Sequence, residues 1–403
     1  MLASAPHKGA LRLLRLEGLA LAVSLAPYAH AGFSWAVFAL FLLAPDLSML
    51  GYLWTASRRC GLTRPRPRAR LRPQTFNGLR GRRDCRRLPP RPYRPAPRSA
   101  PPHGRKIIMR IHAIQTGRVQ IKQAQIEGRG HGLWRQIQPI ASSQWAEWAP
   151  VYAWAIEHAD GVIVVDSGSG AHLKSLPRWH PYFQLAVRFE IEPEQEIGPQ
   201  LRSLGIGERD VKTVVLTHLH VDHDGGLAHF PHGRIVADSG EIARAAGVRG
   251  ALLGYLPRRW PSWFDPQPLA WQQSPYGPFR RSVSLTAAGD VIAVPTRGHT
   301  PNHVSLIVRD GEEQIMLAGD ASYSESTMVR GAIDGVGPDE SAQVQTMADV
   351  RALCAARPTV YLPTHDPRSA ERLAGSCTVA LDRSSRCSIA TASHCDAGRL
   401  APL

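Results

Sequence analysis

A cluster of metal-capable side chains follows a short apolar run in the middle of the sequence. The run VKTVVLTH, typical of a buried strand, leads into His218, His220, Asp222 and His223 within six residues. Alternate side chains of an extended chain point to the same side, so His218 and His220 can share one cation while Asp222 and His223 turn toward a second. Imidazole and carboxylate donors suit zinc, iron, manganese or cobalt rather than copper(I). The segment therefore predicts a metal site.

Three more metal-capable residues each come directly after an apolar run: His299 after AVPTRG, Asp320 after IMLAG and His365 after VYLPT. We expect these and the first cluster to build two cation sites. One site takes the nitrogens of His218, His220 and His299, the other takes Asp222, His223 and His365, and Asp320 bridges the two. Two cations about 3.5–4 Å apart would share a water and lower its pKa toward about 7, which makes hydroxide available at neutral pH.

Two further polar residues lie close to these clusters in the sequence. Asp166 follows the apolar run GVIVV, and we expect it to orient a ligand or to cap a loop. His303 lies four residues after His299, and we expect it to support a ligand or to pack in the core. The six cysteines include no CxxC pair, which argues against a cysteine-based zinc site.

The residues around the clusters predict strands that alternate with helices. MRIHAIQTG predicts a strand, which GRVQIKQAQI follows after a turn, and VYAWAIEHADGVIVVDSG predicts two strands joined by a turn. PEQEIGPQLRSLGI has helical spacing that Gly205 ends. Further strands are predicted in DVIAVPTRGH, HVSLIVRDGEEQIMLAGD and PTVYLPTHD. The pattern indicates a mixed α/β sandwich that extends over residues 109–375.

The motifs HLHVDH, GHTPNH, AGD and THD, in this order and spacing, resemble those of the metallo-β-lactamase superfamily over residues 109–374. AGDASY places Tyr323 three residues after Asp320, and together with IHAIQTG and LPTHDP it resembles the N-acyl-homoserine lactonases. The resemblance implies an αββα sandwich with a dinuclear metal site at one edge. It implies two divalent cations, for which we expect zinc, with iron, cobalt or manganese as alternatives.

The resemblance also implies a reaction. A metal-bridging hydroxide would attack the carbonyl of an N-acyl-homoserine lactone and open the ring, which would inactivate a bacterial quorum-sensing signal. Tyr323 would donate a hydrogen bond to the substrate or its oxyanion, and Asp222 would pass a proton to the leaving alkoxide. We therefore expect a metal-dependent hydrolase with a small-molecule lactone as substrate. The apolar residues 251–271 are a candidate wall for the acyl chain, with core packing or a dimer face as alternatives.

Other enzymes of the same fold remain as alternatives. These are a glyoxalase II-like thioesterase, a different lactonase and a phosphoesterase. Tyr323 and the lack of an evident basic substrate pocket in residues 109–375 favour the N-acyl-homoserine lactonase. The sequence leaves open whether the chain forms a homodimer.

Residues 1–57 predict a membrane segment. Between Gly18 and Pro45 the chain has no charged residue apart from His30, and basic residues flank the apolar stretch on both sides. This suits a hairpin with both ends in the cytoplasm, with a signal peptide or a buried helical pair as alternatives. The stretch also resembles a family of uncharacterised bacterial integral membrane proteins. We expect a cytoplasmic catalytic domain tethered to the inner membrane.

The positive charge of the chain is confined to one tract. Residues 58–106 hold 16 Arg and one Lys against Asp84, whereas the whole chain has a net charge of +15, so the remainder is nearly neutral. This excludes a uniformly basic nucleic-acid-binding fold, and we expect no nucleic acid partner. Ten prolines in the tract predict a disordered linker. It could serve as a membrane-surface tether or an RNA-binding arm, or it could have no function and arise from out-of-frame translation. Residues 376–403 predict a loose tail.

Overall fold

Two β-sheets form the centre of the computed structural model, which describes residues 109–381. The first sheet has the strand order β4-β1-β2-β3-β5-β6-β7, antiparallel up to β3 and parallel beyond it. Its strands are β1 (Arg110–Ile121), β2 (Ala149–Glu157), β3 (Val162–Val165), β4 (Val187–Glu190), β5 (Val211–Val215), β6 (Arg234–Ala237) and β7 (Gln267–Pro268).

The second sheet has the order β12-β11-β10-β9-β8, with only β11 and β12 parallel among its described pairs. Its strands are β8 (Val283–Ser284), β9 (Val291–Pro295), β10 (Val304–Asp310), β11 (Glu313–Gly319) and β12 (Thr359–Pro363). The α-helices of the described residues are α1 (Gln123–Ile126), α2 (Gly132–Ala141), α3 (Pro181–Leu185), α4 (Ile197–Ser203), α5 (Ser239–Ala245), α6 (Gly247–Leu252), α7 (Glu325–Arg330), α8 (Glu340–Ala356) and α9 (Ser369–Ala374).

Alternation of side chains along the strands creates three apolar layers. On β2, Trp154 and Ile156 pack between the sheets, whereas Ala153 and Ala155 belong to the layer beneath helix α4. The second sheet repeats this arrangement, since alternate residues of β9 to β12 face either the first sheet or helix α8. Full burial of one such side chain stabilises the fold by about 1.5–3 kcal/mol. The layers run helix, sheet, sheet, helix, and they confirm the αββα sandwich.

One local prediction was wrong. The turn predicted within residues 109–126 is a bulge inside the continuous strand β1, where the register with β2 shifts between Gln115 and Arg118. Gly117 occupies the bulge with a φ of 78°, and a Cβ atom there would lie 2.4 Å from the carbonyl oxygen of Glu190. Only glycine fits this close approach of the two backbones. The bulge lets β1 bend, and its second half pairs with both β2 and β4.

Several predictions fall wholly or partly outside the described residues. They are the membrane segment 1–57, the linker 58–106 and most of the tail 376–403. Within 109–381, no helix has the length and apolar character needed to cross a bilayer. The first tail residues still contact the domain, since the amide of Val379 donates to the carbonyl of Thr359 over 2.9 Å. The domain boundaries, the cytoplasmic location and the homodimer stay predictions.

A histidine outside the set of predicted ligands connects the two sheets, and its side chain is only 2% exposed. His158, in the turn after β2, lies 3.2 Å from the carboxylate of Asp290, in the turn before β9. The hydrogen bond to Asp290 raises the pKa of His158 against the opposing effect of burial. The pKa of Asp290 is lowered, because its bonds to His158 and Thr286 outweigh burial. The ion pair is thus complete only between the pKa values of its two members.

We predict that Asp290→Asn destabilises the protein more at pH 5.5 than at pH 9. A raised histidine pKa contributes stability that is fully present below the unfolded value of about 6.5 and is lost as the pH rises through the folded value. The substitution also removes the hydrogen bond from Thr286, and this part of the destabilisation does not depend on pH. Free energies of unfolding of the two proteins at both pH values check this, with Asp310→Asn as a surface control. An equal difference at both pH values would contradict the proposed ion pair.

Candidate metal centre

Strand ends bring all seven predicted ligands to one edge of the sandwich. The residues from His218 to His223 lie in the loop after β5 of the first sheet. His299, Asp320 and His365 follow β9, β11 and β12 of the second sheet. Three groups have ligand atoms within 4.8 Å of one another: His218, His220 and His299; His218, His223 and Asp320; Asp222, His223 and His365. The two predicted cation sites are therefore adjacent.

The three imidazoles of the first site present nitrogens to one point. The Nδ1 atom of His220 lies 3.0 Å from the Nε2 atom of His218 and 3.0 Å from the Nε2 atom of His299. Two nitrogens bound to one tetrahedral zinc at 2.0–2.1 Å would be about 3.3 Å apart. Burial, followed by the neighbouring imidazoles, lowers the pKa of His218 and of His220 well below the ordinary value. Both rings are thus neutral at pH 7 and offer lone pairs.

Asp320 lies between the two sites. Its Oδ1 atom is 3.3 Å from the Nε2 atom of His223, and its Oδ2 atom is 3.3 Å from that of His365 and 3.5 Å from that of His299. Burial would raise the pKa of Asp320, but His365 and His223 hold it well below its usual range. The carboxylate is therefore ionised, and its oxygens contact histidine nitrogens of both predicted sites.

Backbone geometry makes the approach of Asp320 possible. Gly319 has a φ of 56°, and a Cβ atom on it would lie 2.7 Å from the Nε2 atom of His303 and 2.9 Å from Thr217. The same Nε2 atom accepts the backbone N–H of Asp320 over 3.0 Å. Burial lowers the pKa of His303 to about 3, so the ring is neutral and can act as this acceptor. His303 thus holds the backbone of the central ligand and stays outside the three groups.

Asp166 orients ligands of the first sheet. It directly follows β3 and accepts the Nδ1–H of His223 over 2.8 Å, which aims the other nitrogen of that ring at Asp320. It also accepts the backbone N–H and the hydroxyl of Thr217, over 2.7 and 2.9 Å. The Thr217 oxygen can then accept the Nδ1–H of His218, 3.1 Å away. Asp166 does not itself belong to a metal group of the described residues.

Asp334 has the corresponding role for His299, which follows β9 of the second sheet, and the sequence did not predict it. Its Oδ2 atom accepts the Nδ1–H of His299 over 3.0 Å, while its Oδ1 atom accepts the amides of Val336 and Gly337. The fully buried guanidinium of Arg135 donates to the carbonyls of Asp334 and Gly337 and so fixes this loop. The segment IDGVG indicates only a local turn. Its contact with His299 could not be predicted, because the two residues are 35 positions apart in the sequence.

Tyr323 lies beside the carboxylate of Asp320. Its ring stacks on that of His365, with centroids 5.6 Å apart, and its hydroxyl oxygen accepts the Nε2–H of Gln125 over 2.8 Å. The Oε1 atom of Gln125 in turn accepts the hydroxyl of Tyr182 over 3.0 Å. Burial, followed by the charges of Asp320 and Asp334, raises the pKa of Tyr323 well above its ordinary value. The phenol therefore keeps its proton.

A pocket of about 320 Å³ opens from the centre. His220, Asp222, Asp320 and Tyr323 line its floor together with other centre residues. Apolar side chains form most of its walls, and they include Val119, Ile121, Ile140, Phe183, Val187, Phe189, Val221, Leu252, Leu253, Val336 and Pro338. Within the candidate wall 251–271, only residues 252–255 line the pocket, whereas Trp260 and Phe264 pack against the core beneath the first sheet.

The chemistry of the residues fits a pair of divalent cations. The Nε2 atom of His223 and the Oδ1 atom of Asp320 are buried 3.3 Å apart, but neither has a partner with hydrogen-bond geometry among the described residues. Buried polar atoms almost always have a partner, and a missing ion is one cause of an exception. The remaining nitrogens of His223, His299 and His365 are already held by Asp166, Asp334 and the carbonyl of Pro150. Such contacts fix ligand rings in metal sites.

Comparison with known families and proteins agrees with this chemistry. The family model of the metallo-beta-lactamase superfamily matches residues 146–365. A second model, a domain of unknown function named DUF4260, matches residues 11–61, where the sequence resembles integral membrane proteins. N-acyl homoserine lactonase AttM of Rhizobium radiobacter is 26% identical over 268 residues, which cover 64% of this chain and 94% of AttM. A probable metallo-hydrolase of Mycobacterium tuberculosis is 30% identical over 184 residues, 45% of this chain and 57% of that protein.

Solved structures share the fold. A mutant of B. thuringiensis AiiA with N-decanoyl-L-homoserine bound has a TM-score of 0.50 and 18% identity, and the match covers 67% of this chain and 96% of AiiA. An N-acyl homoserine lactone hydrolase with N-hexanoyl-L-homoserine bound gives the same TM-score, identity and coverage. The matched family model spans more than half of the chain and includes all seven predicted ligands. The chain therefore belongs to the metallo-beta-lactamase superfamily, as a metal-dependent hydrolase.

Proposed function

We propose that this hydrolase opens the lactone ring of N-acyl-homoserine lactones and thereby quenches quorum sensing. In this proposal seven residues hold two divalent cations: His218, His220, Asp222, His223, His299, Asp320 and His365. Zinc is the expected metal, and iron, cobalt and manganese suit the same donors. When bound, the cations make hydroxide available at neutral pH and act as Lewis acids toward a carbonyl oxygen.

The arrangement of Tyr323 carries the proposal. Gln125 donates to the phenol oxygen, so the hydroxyl proton is left to point into the pocket. Tyr182 fixes the other end of the Gln125 amide and prevents it from turning. A donor held in this way beside Asp320 is aimed at an oxygen that gains charge during attack on a carbonyl. Because the donor is already in place, its orientation costs nothing during the reaction.

Asp222 is the proton carrier in this proposal. Its Oδ2 atom lies 3.4 Å from the Nε2 atom of His365, and the residue also lines the pocket. The side chain can take a proton at the centre and release it to the alkoxide that leaves as the ring opens. The apolar walls suit an acyl chain, since they remove its surface from water. N-acyl homoserine lactonase AttM, 26% identical, supports this substrate class, as does N-acyl homoserine lactonase AiiB of Agrobacterium fabrum, 28% identical over 57% of this chain and 83% of AiiB.

A thioesterase or phosphoesterase remains the alternative, and one observation favours it. Arg244 lines the pocket, although the sequence predicted no basic group there. It is the only Lys or Arg among the residues that line this pocket in the described part of the chain. A guanidinium there can bind a carboxylate or phosphate of the substrate. Turnover of thioesters or phosphoesters that carry a carboxylate or phosphate, with no turnover of lactones, would favour this alternative.

We predict that the zinc-loaded full chain releases protons from N-acyl-homoserine lactones and that Tyr323→Phe lowers kcat/KM by 10²–10³-fold. This corresponds to the loss of one oxyanion donor, about 2.7–4 kcal/mol. His220→Ala should reduce turnover to the uncatalysed rate. Tyr276→Phe and His229→Ala are matched controls outside the pocket and should keep full activity. Metal binding without lactone turnover would contradict the proposed substrate but would still support the metal site.

We predict two equivalents of zinc per chain and a lower melting temperature after chelation. A cation that binds only the folded state at 100 times its Kd stabilises the protein by about 2.7 kcal/mol. Elemental analysis and thermal unfolding, with and without chelator, measure both effects. His220→Ala should bind less than two equivalents. A single equivalent in the unaltered chain would refute the dinuclear site.

We predict that Asp334→Asn weakens zinc binding by 10–100-fold, because His299 loses the carboxylate that holds its Nδ1–H. Competition with a chromophoric chelator measures this affinity. Asp339→Asn is the matched control, since Asp339 caps helix α8 in the same region without contacting the described ligands. Equal affinities in both variants would show that Asp334 has only a local turn role.

A further inference from the structure

Three segments of the chain surround the mouth of the pocket. They are residues 128–143, 171–186 and 242–264, and together we call them the mouth face. Each contributes to the pocket lining, with Ile140, His180 and Leu252 as examples. The Nε2 atom of His180 lies 3.2 Å from the carbonyl oxygen of Leu252, which connects two of the segments. Helix α2 of the first segment packs on helix α3 of the second.

The mouth face concentrates the exposed apolar side chains of the domain. Eleven large apolar side chains of the described residues are exposed, and eight of them lie in these three segments. Trp134, Trp179 and Leu252 are 65%, 59% and 65% exposed. On helix α2, Leu133 and Ile137 lie on the same side as the pocket-lining Ile140, because residues three and four apart share one face. The exposed apolar surface thus continues into the pocket.

The same segments carry charge of one sign. They hold eight Arg and Lys residues and no Asp or Glu, although residues 109–381 as a whole have 28 acidic and 25 basic residues. Arg129, Arg178, Arg249 and Arg258 are exposed, and none forms an ion pair with another described residue. Four acids border the segments. Glu340 is bound by Arg135, His131 and the amide of Gly132, and Glu127 pairs with Arg330. Glu241 is buried, which leaves Asp265 as an exposed acid at this border. The mouth face is therefore apolar and positive.

We infer that the mouth face docks on the surface of an anionic phospholipid bilayer, with the pocket open toward the lipid. Tryptophan and leucine side chains enter the boundary between headgroups and acyl chains, while arginine binds the phosphates around them. A second copy of this chain fits less well, since a two-fold contact would place two positive faces together. An apolar substrate dissolved in the bilayer could then enter the pocket without crossing water.

Hydrogen–deuterium exchange of the zinc-loaded full chain tests this at the level of segments. Vesicles of phosphatidylglycerol and phosphatidylcholine in equal parts should slow exchange in all three segments, and phosphatidylcholine alone should not. Trp134→Ser with Leu252→Ser should weaken the protection at least tenfold, as should Arg178→Glu with Arg249→Glu. Leu204→Ser with Val344→Ser, which are 46% and 54% exposed outside the mouth face, and Arg209→Glu are the matched controls.

Three results would overturn the inference. In the first, the chain floats with the vesicles while the three segments exchange as they do without lipid, which would assign membrane binding to another part of the chain. In the second, heparin protects the segments as well as the vesicles do, which would indicate a soluble polyanion. In the third, the segments are protected without vesicles, which would show that this chain or a second copy covers them. None of these readouts depends on lactone turnover, so the proposed function is tested separately.

Discussion

The burial of one ionised carboxylate among imidazole rings is the constraint on which the rest of the site depends. Asp320 is 3% exposed and has histidine nitrogens within 3.5 Å of both its oxygens. A charge removed from water is costly unless opposite charges and hydrogen bonds surround it. The backbone must also deliver it to the meeting point of the two sheets, which Gly319 and His303 achieve together. Histidines of both predicted sites are arranged around this residue.

The contacts behind the ligands show how the fold keeps the rings in place. Asp166 directly follows strand β3 of the first sheet, whereas Asp334 lies in the loop between helices α7 and α8, and each fixes one histidine through its Nδ1–H. A carbonyl of β2, that of Pro150, does the same for His365. Arg135 has no solvent-exposed surface and forms its hydrogen bonds with backbone carbonyls of the loop that carries Asp334. The orientation of the ligands is thus set by strands and by a buried cation rather than by flexible loops alone.

The sequence predicted the sandwich and the proximity of the seven ligand candidates. Each candidate follows an apolar run that forms a strand, and the ends of these strands meet at one edge of the sandwich. Local pattern sufficed for this, because strand ends and motif spacing are properties of short segments. Residues such as Gln125, Asp334 and Arg244 were not found, because their importance comes from contacts with distant parts of the chain. The sequence around Gly117 predicts a turn where the structure has a bulge, because a glycine alone does not show whether the strand continues beyond it.

The distribution of the ligands over the chain has a consequence for folding. The loop after β5 supplies four donors within six residues, whereas His299, Asp320 and His365 come from the second sheet, up to 147 positions after His218. A chain that has formed only its first sheet would offer only the donors of the loop after β5, without Asp320. Closing such long loops costs entropy and makes assembly slow. The complete centre can therefore form only when both sheets have docked, so tight metal capture would mark the end of folding rather than its start.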